Sequence, residues 1–116
     1  MAGVSDEVLR THRQEIRRGT VVLASLIALG EPGYGYALLG QLSEHGIDVD
    51  ANTLYPLLRR LEDQGLLTSE WNTEEARPRK VYQTSAEGSE VIEVLIGDLE
   101  DINQSLASLR DAAPEQ

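Results

Sequence analysis

The side chains with chemistry to offer lie in three short stretches. In the first, Asn52, Thr53, Tyr55, Pro56, Arg59 and Arg60 stand among leucines. On a helix of about 100° per residue, Asn52, Pro56 and Arg59 share the side opposite Leu54, Leu57, Leu58 and Leu61, with Tyr55 and Arg60 flanking. An amide can donate to and accept from an adenine edge, a threonine can contact a thymine methyl, and a guanidinium can fork onto guanine or grip a phosphate. This face therefore suits a double-stranded DNA groove. The plainer alternative pairs Arg59 with Glu62 or Asp63 at helical spacing and leaves Asn52 as a cap. Pro56 weighs towards function. A proline inside a helix withdraws a backbone donor at a cost of ~3 kcal/mol, and such local conflicts concentrate at functional sites.

Tyr34 and Tyr36 form the second stretch, just before and at the start of a predicted helix, where free N–H groups and the helix dipole favour a phosphate. For one of the two, packing into the core is an equal alternative. The third stretch, Arg77, Arg79 and Lys80, places three positive charges within four residues of a predicted hairpin, against phosphates or a minor groove. Screening of these charges by Glu74 and Glu75 is the competing reading. Arg10, Arg13 and Arg17 make a further stripe, read as a solvated face or as a partner for an acidic surface.

Catalysis finds no support. The chain has no Cys and two His, His12 and His45, both on predicted helix surfaces, so a thiol enzyme is excluded and neither a metal site nor a cofactor is expected. No glycine loop for phosphate and no nucleophile with a nearby base occurs. The net charge of -10 argues against nucleic acid only until its distribution is considered. Residues 10–80 hold nine of the ten basic residues against ten acidic ones, while residues 81–116 hold Arg110 against eight acids. The longest apolar run, Val21 to Leu29, is too short for a bilayer span of about 20 residues, and no signal-peptide order opens the chain. No membrane is expected, and the cytoplasm is.

These stretches need elements to hold them. Leu9, Ile16, Thr20, Leu23 and Ile27 fall at helical steps between Leu9 and Leu29, with Gly30-Glu31-Pro32-Gly33 as a stop. A second helix is expected from Tyr36 to His45-Gly46, turning Leu38, Leu39 and Leu42 inward. A third, capped by Asp50, runs to Gly65. Period two then sets Leu67, Ser69 and Trp71 on one strand face, and a turn leads to a second strand, Arg79 to Thr84. Val81, Tyr82 and Trp71 are expected to hold this hairpin on the core. A long helix from Ala86 to Arg110 and a weakly ordered tail from Ala112 complete the chain. In that helix Ile92, Leu95, Leu99, Ile102, Leu106 and Leu109 are spaced as a heptad seam, which must meet something apolar: its own first helix, and to a larger extent a second subunit. The fold class is mainly α with a small β-hairpin (α+β), a winged helix-turn-helix followed by a long helix. Residues 1–84 read as the DNA-binding domain and 85–116 as the C-terminal helix and tail.

Several motifs make the pattern more specific: Arg18-Gly19-Thr20, Tyr34-Gly35-Tyr36, the run Asn52 to Glu62 with Gly65-Leu66-Leu67, and Arg77-Pro78-Arg79-Lys80-Val81-Tyr82. Covering residues 17–88 in order, they resemble the PadR family of transcriptional regulators, in its subfamily with a single C-terminal helix. The resemblance implies a homodimeric DNA-binding repressor on a pseudo-palindromic operator. Helix three would be the recognition helix, the hairpin the wing and the last helix the dimerisation helix. It also leaves room for release by a small-molecule effector, although the only Trp is Trp71, on the predicted hairpin. The alternative function is a winged-helix module that binds a protein and not DNA.

Overall fold

Ser5 opens the first helix of the computed structural model, which describes residues 3–74 and 76–112. Its Oγ accepts from the Val8 N–H at 3.1 Å, Asp6 and Glu7 complement the helix dipole, and α1 runs Asp6–Ala28. The stripe read at helical steps lies mostly outside the core. Leu9, Ile16 and Ile27 are exposed, Ile16 by 80%, and Leu23 alone of that set is in the core. Leu26 and Leu29, with Ser25, make the deepest contacts from another side of the helix. Helical periodicity identified an apolar stripe correctly but could not say which of two would be covered.

The core is built largely of leucine, since the chain has no Phe. Leu38 and Leu42 enter it from α2 (Gly35–Glu44), and Leu54, Leu57, Leu58 and Leu61 from α3 (Ala51–Asp63). Leu39 is only half-buried. Asp50 caps α3 as expected, its Oδ1 accepting from the Thr53 N–H at 2.8 Å. Gly46 and Gly65, with φ of +84° and +80°, follow the ends of α2 and α3 in the left-handed conformation that glycine adopts without strain.

The expected two-stranded hairpin is part of a three-stranded antiparallel sheet, ordered β1-β3-β2. β2 (Leu67–Asn72) and β3 (Arg79–Thr84) pair from Leu67↔Thr84 to Asn72↔Arg79, and β1 (Gly33–Tyr34) adds to the free edge of β3. The segment read as a helix stop and approach is therefore partly strand, and α2 begins at Gly35, one residue earlier than expected. Tyr82 is buried and Val81 half-buried, but Trp71 is 64% exposed and does not anchor the hairpin. It faces the same way as Ser69, yet lies farther out along the hairpin, opposite Lys80. Glu75, weighed above as a screen, and residues 113–116 of the tail lie outside the described residues.

α4 (Ala86–Ala112) leaves the body through a close joint. The Ser85 hydroxyl accepts from the Gly88 N–H at 3.0 Å and donates to the Gly65 carbonyl at 2.6 Å, while the Ser85 N–H donates to the Leu66 carbonyl at 3.0 Å. Val91 and Ile92 pack on the core, but Leu99, Ile102, Leu106 and Leu109 are exposed, Leu109 by 68%. The molecule measures 63 × 31 × 21 Å with a radius of gyration of 17.7 Å. A compact chain of this length would have about 13 Å, so the extended helices project from the body.

Candidate nucleic-acid interface

α3 is the centre of the site because its two sides are chemically distinct. Its leucines are buried, and Asn52, Thr53, Pro56, Arg59 and Arg60 are all exposed. Pro56 lies inside the helix and has no N–H to give the Asn52 carbonyl. Arg59 does not pair with Glu62, because that carboxylate is engaged elsewhere, and among the described residues neither Arg59 nor Arg60 forms an ion pair. Asn52 is not the cap, a role filled by Asp50. Tyr55 is half-buried against α2: a Cβ added at Gly35 would meet its Cε1 at 2.8 Å. That spacing explains the glycine between Tyr34 and Tyr36, since only a residue without a side chain lets the two helices approach this closely.

One cleft lies between α3, the start of α2 and the hairpin. All four tyrosines of the chain, Tyr34, Tyr36, Tyr55 and Tyr82, line it together with Arg77, Arg79 and Lys80. The structure separates the two tyrosines that the sequence left equivalent. The Tyr34 hydroxyl accepts from Asn72 Nδ2 at 2.8 Å, and Arg79 stands 5.5 Å from its ring centroid. Tyr34 thereby ties β1 to β2 across the sheet. Tyr36, in contrast, is 79% exposed at the helix N-terminus.

The three hairpin cations separate in the same way. Lys80 Nζ donates to Glu62 Oε1 at 2.9 Å and lies 5.4 Å from the Tyr82 ring centroid. Ser69 Oγ donates to the other Glu62 oxygen. The Ser69 hydrogen bond first, then that from Lys80, hold the Glu62 carboxyl below its ordinary value, while the Glu62 hydrogen bond raises the Lys80 ammonium. Lys80 thus pins the hairpin to α3, which corrects the expectation that apolar side chains alone hold it. Arg77 is exposed, and the Glu74 N–H donates to Asn72 Oδ1 at 3.1 Å, within the turn. Asn72 was not singled out in the sequence, and Glu62 and Lys80 were read separately, as a partner for Arg59 and as a wing cation, since only the fold joins them.

The remaining expected groups are placed as follows. His12 and His45 are exposed, with the His45 ring Nδ1 2.9 Å from the Gln41 carbonyl. Among the described residues no three His, Cys, Asp or Glu side chains gather as a metal site, and no helix is long and apolar enough to cross a membrane.

Comparison with known proteins agrees with this architecture. Residues 22–94 match the description "Transcriptional regulator PadR-like family". A PadR-family transcriptional regulator from Eggerthella lenta DSM 2243 superposes with a TM-score of 0.89 at 44% identity, over 93% of this chain and 96% of that one. Transcriptional regulator Rv3488 of Mycobacterium tuberculosis is 46% identical over 55 residues, 47% of this chain, and the match spans about half (51%) of that relative. The structure of Bacillus subtilis PadR with operator DNA shares the fold, with a TM-score of 0.61 at 20% identity over 66% of this chain and 46% of that one. The family match alone covers more than half of the sequence, and the chain belongs to the PadR-like family of transcriptional regulators, which are not enzymes.

Proposed function

We propose that this chain is a homodimeric, sequence-specific repressor that binds a pseudo-palindromic operator in double-stranded DNA. The observation that carries this reading is the outer face of α3, where Asn52, Thr53, Pro56 and Arg59 are exposed above a buried leucine face. In this reading α3 enters the major groove, Asn52 and Arg59 read base edges, and Thr53, Tyr55, Pro56 and Arg60 complete the fit. Tyr36 and the N–H groups opening α2 take a phosphate, with Tyr34 holding the sheet beside them. Arg77 and Arg79 supply the wing's charge, and Lys80 fixes the wing's position. The Bacillus subtilis relative bound to operator DNA supports the same use of the shared fold.

Residues 1–84 act as the DNA-binding unit and residues 85–116 as the dimerisation arm. Leu99, Ile102, Leu106 and Leu109 are exposed in the single chain, and so are Leu9 and Ile16 of α1. A second copy would cover this apolar surface, with Ile92 and Leu95 at the inner end of the seam. Release by a small ligand completes the reading. Action in the cytoplasm follows from it.

Genomic DNA retained by the purified protein identifies the operator. Asn52→Ala and Arg59→Ala should then lower operator binding by about 1–3 kcal/mol each while changing random-duplex binding far less. Equal losses on both DNAs would move these side chains to backbone contact, and no loss would remove α3 as the reading element. The net charge of -10 keeps the other reading, a protein-binding module, in view. The two differ in salt dependence: binding to phosphates weakens steeply as salt rises.

A further inference from the structure

The first arginines of the chain are the part of the molecule that this reading leaves unused. A second cleft lies on the side of α3 away from the hairpin, between α3 and α1. Arg10, Arg13, Arg17 and Arg18 line it from α1, and Thr53, Pro56 and Arg60 line it from α3. Asp48 and Asp50 are the acidic residues of its lining. Five arginines against two aspartates leave an excess of three positive charges. Both aspartates are also engaged: Asp48 Oδ1 accepts from the Ser43 hydroxyl at 2.9 Å, and Asp50 Oδ1 from the Thr53 N–H. Among the described residues none of the five arginines forms an ion pair.

The two clefts flank the same helix. Tyr55 reaches one of them, Thr53 and Arg60 the other, and Asn52 and Arg59 lie on the ridge between. A helix seated in a major groove about 12 Å wide has one phosphate backbone on each side. The hairpin carries cations on one side of α3, and α1 carries them on the other. We infer that Arg17 and Arg18, extended by Arg13 and Arg10, form a second phosphate-binding ledge that grips the DNA strand opposite the wing. Arg10 and Arg17 are about 10 Å apart along the helix, or about three phosphates at 3.4 Å of rise each. A partner subunit's acidic α4 is the competing occupant. The ledge is continuous with Thr53, Pro56 and Arg60 of the reading helix, so whatever covers that helix reaches the arginines too, and this favours DNA.

The inference rests on the DNA-binding reading, and the experiment separates the two. Arg17→Gln/Arg18→Gln is compared with wild type and with Arg77→Ala by titration of operator and random duplex from 50 to 300 mM salt. Both arginines are exposed, so circular dichroism should show an intact fold. The double variant should lose affinity for both DNAs by a similar factor, and its log-affinity against log-salt line should flatten by nearly one unit for each phosphate contact removed. An unchanged affinity and slope overturns the ledge while Arg77→Ala still flattens the line. Unchanged DNA binding with a weakened dimer in sedimentation assigns the arginines to the partner's α4 and equally overturns it. If wild type itself shows no salt-dependent binding, the DNA-binding reading fails first.

Discussion

Gly88→Ala should destabilise this protein although alanine is the better helix former. An added Cβ would overlap the Leu66 carbonyl oxygen and stand 2.6 Å from Thr84 Cγ2 and 3.2 Å from the Leu66 carbonyl carbon. Ordinary contacts between such atoms are about 3.5–4.0 Å, so α4 or the α3–β2 turn has to move by roughly 1 Å. The turn resists, because Leu66 accepts from the Ser85 N–H and donates to the Leu61 carbonyl at 2.9 Å. Overpacking of this kind costs about 1–3 kcal/mol, against a gain of up to ~1 kcal/mol from helix propensity. A net loss of about 1–2 kcal/mol corresponds to a fall in Tm of roughly 5–10 °C for a chain of this size. Gly40→Ala in α2 is the matched control, because its added Cβ meets nothing within 4 Å and it should raise Tm by a few degrees. Thermal unfolding followed by circular dichroism, at one protein concentration for all variants, reads both. A Gly88→Ala protein that melts with Gly40→Ala above wild type would refute the close approach at the joint.

Further outcomes follow from the other contacts. Glu62 has a lowered carboxyl, so its contribution is present above its ordinary pKa of 4.5 and is lost as pH falls through the folded value. Wild type should therefore lose up to about 1 kcal/mol more stability on acidification than Glu62→Gln, and parallel acid unfolding curves would count against the contact. Leu99→Asp with Ile102→Asp should abolish dimers in sedimentation at micromolar protein by placing charge in an apolar contact, and a wild type that is monomeric there defeats the dimer itself. Tyr36→Phe should weaken binding to any duplex without changing Tm, whereas Tyr34→Phe should lower stability by about 0.5–1.5 kcal/mol, and Tm with it, through the lost Asn72 hydrogen bond. The opposite assignment of the two effects would exchange their roles.

What the sequence made readable was local or strictly periodic. Asp50, the leucines of α3, Gly46 and Gly65 sit where capping and period place them, because each depends on neighbours within a turn or two. Two-residue β1 has no periodic signature, and it exists because β3 offers it a free edge. Lys80 looked like its neighbours Arg77 and Arg79 until the fold brought Glu62 beside it from 18 residues away. The stripe of α1 marked the helix but not its covered side, for a different reason. Val21 to Leu29 is apolar almost all round, so period alone could not choose the covered side, and the choice was made by where α2, α3 and α4 lie. Of the candidate site, the outer face of α3 was readable for the reason its core face was. The opposing cleft of α1 arginines was not, since nothing along the chain says that residues 10–18 stand beside residues 53–60.

Charge separation along the molecule governs how it meets a polyanion in solution. The described helix α4 carries seven carboxylates against Arg110 and is about 40 Å long, while the other nine cations precede residue 81. At physiological ionic strength charges are screened beyond about 8 Å, so the outer part of the arm and the arginine-bearing body present themselves separately rather than as one net charge. Residues 1–80 carry nine cations against twelve carboxylates, so a polyanion is attracted by the arginine clusters of the body rather than by its net charge and is repelled by the arm, which turns the molecule before contact. Association should consequently quicken as salt is lowered, the reverse of what -10 charges spread evenly would give.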